Sequence, residues 1–198
     1  RFFCRTSFQL VLRRHMNTVI IANGQFQPSA RLLDLWRNAE LRIAADGGAR
    51  HARESFGIAP HIVVGDLDSI DADTMQWLDI SHVEAIQHPR DKDQTDLELA
   101  IDLAQSRGAD EVKILGAFGR RPDQMLANIL LLTRASRNRI VDDQSEVWVA
   151  REQTEIIGQI GDTVSLIPLS EKVESLQTTG LVFPLKRETL VLGTTRGI

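Results

Sequence analysis

A single cysteine, Cys4, serves the whole 198-residue chain. One thiol excludes an internal disulfide framework and a cysteine-based zinc site, and it suits a reducing, cytoplasmic setting. Long apolar runs are missing too, and no stretch approaches the roughly 20 residues of a membrane helix, so no membrane partner is expected. Nor is there a surplus of positive charge. Lys and Arg total 23 against 27 Asp and Glu, a net charge of −4. A generic nucleic-acid surface needs the opposite balance, so nucleic acid is not an expected partner. Internal repeats and low-complexity linkers are also lacking. What remains is an ordinary globular composition, 42% hydrophobic and 25% charged, long enough for one medium domain or two small ones.

The first acidic residue is Asp34. Before it, Arg1, Arg5, Arg13 and Arg14, with Thr6 and Ser7, superficially resemble an organellar transit segment. The preferred reading places the natural start at Met16 and treats residues 1–15 as a non-native or poorly ordered extension. The apolar patch at 8–12 is too short and too polar for a secretory segment.

From residue 18 to about 143, short β-branched apolar runs alternate with helical spacing. Strands are expected at 18–23, 41–45, 62–64, 82–86, 111–115 and 139–141. Helices are expected at 29–39, 49–56 (closed by Gly57), 71–78 (capped by Asp71), 95–107 and 122–136, the last opened by Pro122. The helix at 95–107 has the clearest signature: Thr95 and Glu98 form a capping box, Leu97, Ala100, Ile101 and Ala104 form the buried stripe, and Gly108 stops it. Such alternation predicts an α/β domain, a Rossmann-like, mostly parallel sheet with helices on both faces. After Val141 the helical spacing ends. Short strands at 146–149, 154–157, 163–167, 173–177, 181–183 and 189–192, punctuated by Gly and Pro, predict a small all-β sandwich or barrel. The expected division is therefore 16–140 and 141–198.

In an open α/β sheet, ligands bind beyond the carboxyl ends of the strands. Those ends carry Asn23-Gly24, Asp46-Gly47-Gly48, Gly65-Asp66-Leu67-Asp68-Ser69, Asp91-Lys92-Asp93-Gln94-Thr95-Asp96 and the segment from Gly116 to Asp123. Glycines let backbone N–H groups approach a phosphate. In an extended chain Asp66 and Asp68 point the same way. With Asp93 or Asp96 they would form an all-oxygen site of the kind that takes Mg²⁺ alongside substrate phosphates. Arg90, Lys92, Arg120 and Arg121 lie in the same loops as candidate phosphate ligands. Singly, each acid has a plainer role: Asp46 in a turn, Asp68 or Ser69 as a cap, Asp96 and Asp123 in first helical turns. Together, acids in successive loops along one edge argue for a site. The histidines lack ligand spacing and read as structural or surface residues, and Trp36, Trp77 and Trp148 read as core.

These motifs, in this order, resemble the thiamine pyrophosphokinase (thiamine diphosphokinase) family: Ala45-Asp46-Gly47-Gly48-Ala49, Gly65-Asp66-Leu67-Asp68-Ser69, Lys92-Asp93-Gln94-Thr95-Asp96-Leu97-Glu98, Gly116-Ala117-Phe118-Gly119, and the tail Leu192-Gly193-Thr194-Thr195-Arg196-Gly197-Ile198. The resemblance implies an enzyme that transfers pyrophosphate from ATP to the hydroxyethyl oxygen of thiamine and releases AMP. It also implies a homodimer whose C-terminal β domain binds thiamine and dimerises. Carried over, Asp66, Asp68 and Asp96 would bind Mg²⁺ and the triphosphate, with Arg121 beside them in catalysis. Asn23, Gly24, Asp46, Gly47, Gly48, Asp93, Gln94, Thr95 and Asp123 would line the nucleotide and thiamine pockets, and Arg196 would help close the thiamine site. The family's Gly-Gly-Arg-x-Asp-His segment reads Gly119-Arg120-Arg121-Pro122-Asp123-Gln124 here. That departure keeps two alternatives open: a pyrophosphokinase acting on another heterocyclic alcohol such as a pterin, or a non-catalytic thiamine- or nucleotide-binding protein.

Overall fold

The structure, a computed structural model, describes residues 16–135, 137–151 and 153–198. The expected extension at 1–15 lies outside the described residues. In chain order the first unit contains β1 (Met16–Ile21), α1 (Ala30–Arg37), β2 (Leu41–Ala45), α2 (Gly48–His51), β3 (Ile62–Gly65), α3 (Ala72–Ile80), β4 (Glu84–Gln87), α4 (Asp96–Ser106), β5 (Ala109–Leu115), α5 (Pro122–Leu131), β6 (Arg139–Val141) and β7 (Glu146–Trp148). These strands form one sheet in the order β4-β3-β2-β1-β5-β6-β7. Strands β1 to β6 run parallel, and β7 is antiparallel to β6.

Both faces of the central strands are buried. Val19 and Ile21 pack with Leu32, Trp36 and Val63 on one face, while Ile20 packs with Ile43, Val64, Ile101 and Ile114 on the other. That is why these strands read as continuous apolar runs instead of alternating ones. Trp36 is fully buried and its indole N–H donates to Ile58 O at 2.8 Å.

The helix starts follow the local chemistry. Ser29 Oγ accepts from Leu32 N, Asp71 from Thr74 N at 2.9 Å, and Thr95 Oγ1 from Glu98 N at 3.2 Å. The stripe Leu97, Ala100, Ile101 and Ala104 is buried as its spacing requires. Glu98 is spent elsewhere: its carboxylate accepts from Arg134 at 2.9 Å and from Gln94 at 3.4 Å. The helix expected at 49–56 forms as α2 and then widens into a π-helical turn, Ala52–Phe56, which Gly57 ends at φ 62°. Likewise α5 tightens into a 3₁₀ turn, Leu132–Arg134.

The compact first unit runs to Gln153, past the expected division at 140/141. Here the C-terminal strand expected at 146–149 is corrected to an edge strand of the parallel sheet. The polar run Asp142-Asp143-Gln144-Ser145 is a tight hairpin turn. Asp142 Oδ1 accepts from Gln144 N at 2.8 Å and Ser145 N at 2.7 Å, which folds β7 back onto β6. Trp148 is accordingly half-buried on this edge, with the Arg139 guanidinium 4.7 Å from its ring centre.

The second unit, Thr154–Ile198, contains a small antiparallel sheet of β8 (Lys172–Gln177) and β9 (Lys186–Val191). Ser175 and Arg187 take positive φ at its register shifts. Leu185 and Leu190 are buried. The runs expected as strands at 154–157, 163–167 and 181–183 form no regular strand among the described residues. Strand propensity alone does not order a segment that finds no partner ladder.

Candidate active site

The strand order reverses at β1/β5, so their following loops diverge over the carboxyl edge, the usual place for a ligand. A cleft of about 1460 Å³ opens there. Its two walls are stitched together as an extension of the sheet: Ala22 N donates to Leu115 O at 2.8 Å, Gly24 N to Gly116 O at 2.8 Å, and Gln25 N to Phe118 O at 2.7 Å. Glycine is required at this seam. A Cβ on Gly24 would sit 2.2 Å from both Gly116 O and Phe118 O. Two side chains pin the seam from either side. His51 Nε2–H donates to Gly24 O at 2.9 Å, and Asn128 Nδ2–H donates to Ala117 O at 2.7 Å.

Carboxylates from three elements meet beside the cleft. Asp46 follows β2, Asp66 follows β3, and Asp96 opens α4. One oxygen from each lies within 4.8 Å of the others. Asp46 is only 6% exposed, and its Oδ1 has no hydrogen-bond donor. A buried, donorless carboxylate oxygen among like charges is costly unless a cation joins it. The chemistry of the set, all hard oxygens, suits a divalent cation such as Mg²⁺. Asp96 is held above the usual carboxylate range, first by burial and then by the charges of Asp46 and Asp66, with Lys92 pulling the other way. Lys92 Nζ stands 3.0 Å from Asp96 Oδ1.

Asp68 is not part of this trio. The expectation that Asp66 and Asp68 share a side assumed an extended chain. Instead Leu67 takes φ 64° and the chain turns, so that Asp68 N donates to Asp66 Oδ1 at 3.2 Å. The Asp68 carboxylate accepts from Ser69 Oγ at 3.2 Å and faces Arg90 at 3.4 Å. Asp46, read from sequence as a pocket-lining residue, takes its place in the cluster.

Of the other expected residues, Asn23, Gly24, Asp68, Gln94, Thr95 and Arg121 line the cleft. Gln94 is anchored to α4 through Asp102 at 3.0 Å. Gly47 and Gly48 serve the packing beneath: a Cβ on Gly47 would strike the Asn23 side chain at 2.3 Å, and one on Gly48 would strike Ile21 O at 2.1 Å. Asp93 and Asp123 are exposed, and neither is among the cleft-lining residues. Asp123 pairs with Arg121, its carboxylate accepting from Arg121 Nε at 3.3 Å, which lowers the acid's pKa. Arg196 pairs with Glu188 at 2.8 Å inside the second unit. The altered residues Arg120 and Gln124 both line the cleft.

Sequence reasoning missed His51 and Asn128. His51 was read as structural or surface. It does support structure, but at the seam, where it also meets Phe26 edge-to-face at 4.9 Å. Burial lowers its pKa, with the Gly24 hydrogen bond opposing. Neither residue carries a motif; the one available signal was that His51 and Asn128 sit one helix-face step from site loops.

Comparison with known proteins identifies the family. The sequence profile of the thiamin pyrophosphokinase catalytic domain matches residues 32–141, and that of the thiamin pyrophosphokinase vitamin B1 binding domain matches 138–198. Thiamine pyrophosphokinase of Bacillus subtilis is 32% identical over 145 residues, covering 70% of this chain and 68% of the relative. Thiamine pyrophosphokinase 1 of rice (Oryza sativa subsp. japonica) is 28% identical over 202 residues, covering 88% and 76%. The crystal structure of the Bacillus subtilis enzyme superposes with a TM-score of 0.79 at 30% identity over 91% of this chain and 87% of that one. The Geobacillus thermodenitrificans enzyme gives 0.71 at 26% identity over 89% and 83%. Matched along almost its whole described length by both domain profiles and by these relatives, the chain belongs to the thiamin pyrophosphokinase family.

Proposed function

We propose that the chain transfers the terminal diphosphoryl group of ATP to the hydroxyethyl oxygen of thiamine, forming thiamine diphosphate and AMP. The observation that carries this reading is the placement of Asp46, Asp66 and Asp96 together at the ligand edge of the sheet, with the buried Asp46 Oδ1 lacking any donor. These three would hold Mg²⁺, which, when bound, neutralises charge on the polyphosphate. Asp68 stands beside them, holding Arg90 at the rim.

The remaining work falls to the chain's own side chains. The thiamine oxygen attacks the β-phosphorus, and the bond from that phosphorus to the oxygen bridging to the α-phosphorus breaks, so AMP carries that oxygen away. Arg90, Lys92, Arg120 and Arg121 line the same cleft and offset the developing negative charge. The alcohol proton passes to a carboxylate beside the cleft, Asp96 or Asp68. The His51 and Asn128 hydrogen bonds hold the Gly24 and Ala117 carbonyls, one on each side of the seam, in fixed positions.

A homodimer fits the second unit. Its apolar side chains include Ile157 at 95% and Phe183 at 82% exposure, a surface that a second copy would cover. Sedimentation at micromolar concentration should show a dimer; monomer alone would refute this. No helix of the described residues is long and apolar enough to cross a membrane, and a cytoplasmic location fits the lone cysteine.

The direct test is incubation with ATP, Mg²⁺ and thiamine, followed by separation of the products. Thiamine diphosphate and AMP in equal amounts are expected. ADP as the nucleotide product would overturn the reading. Arg120 and Gln124 in the cleft favour one rival, another heterocyclic alcohol as acceptor, so a pterin alcohol belongs in the same assay.

A further inference from the structure

We propose that Lys92 is a tethered cation that holds the carboxylate cluster together until a divalent cation binds, and that its ammonium then shifts onto the nucleotide's phosphates. The inference rests on reading Asp46, Asp66 and Asp96 as the cation's ligands. Lys92 Nζ stands 3.0 Å from Asp96 Oδ1, and the side chain is only 15% exposed. Two of the neighbouring cations are paired with other acids, Arg90 with Asp68 and Arg121 with Asp123. One ammonium facing three carboxylates leaves the cluster with excess negative charge, which Asp46 Oδ1, buried and donorless, shows most plainly.

The ammonium and a divalent cation compete for the Asp96 carboxylate. Asp96 Oδ1 is hemmed in by backbone: a Cβ placed on Gly65 would lie 3.0 Å from it. A bound Mg²⁺ sits about 2.0–2.1 Å from its oxygens, and an ammonium 3.0 Å from the Asp96 carboxylate repels it strongly at such range. Lys92 lines the cleft from the segment just before α4, and its four-carbon stem can turn the charge from the floor to the space where phosphates would lie. Free metal would therefore bind against Lys92, and metal with nucleotide would bind with its help. Such coupling disfavours a cation without its polyphosphate.

The test measures binding by the full chain, without turnover. Mn²⁺ affinity is read by electron paramagnetic resonance, and affinity for the Mn²⁺ complex of a non-hydrolysable ATP analogue is read by calorimetry. Lys92→Met should bind free Mn²⁺ at least fivefold tighter and the Mn²⁺–nucleotide complex at least fivefold weaker, while Lys92→Arg stays near the parent in both. Opposite signs separate this role from a structural one, which would weaken both. Unchanged or weaker Mn²⁺ binding by Lys92→Met overturns the proposal, and tighter Mn²⁺ with unchanged nucleotide binding overturns the transfer of charge to the phosphates. If the parent itself binds no Mn²⁺, the cation reading beneath it fails instead. Should Lys92→Met fold poorly, Lys92→Gln carries the same comparison.

Discussion

Replacing Asp46 with Asn tests the carboxylate cluster at its most buried member. The backbone tolerates the change. Asp46 sits at φ 46°, in the left-handed region where Asn and Asp are the best-accepted non-glycine residues. The side chains are isosteric, so packing is kept while one charge is lost. Two unit charges at the 4.8 Å limit of the cluster repel by about 3.5 kcal/mol at an effective dielectric of about 20, and by about 0.9 kcal/mol in water. Asp96 is partly exposed and Lys92 offsets part of its charge, so the net relief falls between these limits, at about 1–2 kcal/mol. The new amide can also donate to Asp66 or Asp96. For a chain of this size that predicts a melting temperature higher by about 2–8 °C without metal. With Mg²⁺ the order should reverse. A cation at 100 times its dissociation constant stabilises the parent by about 2.7 kcal/mol, and the variant, one ligand short, should gain far less. The assay is differential scanning calorimetry of both proteins in EDTA and in excess Mg²⁺. A variant that melts at or below the parent in EDTA, or that keeps the full Mg²⁺ increment, would refute the cluster as a cation site.

Gly24→Ala should destabilise the fold by about 2 kcal/mol or more and nearly abolish nucleotide binding, because the added Cβ meets two carbonyl oxygens at 2.2 Å and forces the seam apart; urea unfolding and nucleotide titration check it, and an unperturbed variant would mean the seam is loose. His51 titrates below its ordinary 6.5 because burial disfavours the imidazolium. The unfolded chain therefore takes up the proton first. The stability His51 contributes is complete above pH 6.5 and is lost as pH falls from there through the lowered folded value. His51→Gln, which keeps a donor for Gly24 O, should flatten that acid limb in urea midpoints between pH 7.5 and 5, and an unchanged limb would assign it to other groups. Restoring the family's residues with Arg120→Gly and Gln124→His should lower the KM for thiamine or raise kcat several-fold, about 1 kcal/mol of transition-state stabilisation. No gain on thiamine, with turnover of another alcohol by the parent, would instead mark the loop as tuned for that substrate.

Much of this protein is written locally. The alternation of apolar runs with 3.6-residue spacing demands a parallel sheet covered on both faces, since continuous runs such as Val19-Ile20-Ile21 can be buried only from two sides. Caps at Ser29, Asp71 and Thr95 depend on side chains within three residues of the N–H they accept, so sequence alone places them. The edge of the sheet that holds the ligand follows from the handedness of the crossovers. Tertiary structure decided what depends on contacts between distant segments. Asp46 and Asp66 belong to different strand ends, and only the pairing of β2 with β3 sets their carboxylates beside Asp96. A period-two argument placed Asp68 with Asp66, but Leu67 at φ 64° turned it toward Arg90, a choice made by the loop as a whole. His51 and Asn128 gain their roles from carbonyls of Gly24 and Ala117, which no local pattern brings near. The assignment of β7 went the same way. An edge strand is defined by the neighbour it finds, and residues 146–148 found β6 through a four-residue turn, whereas the sequence grouped them with the strands that follow.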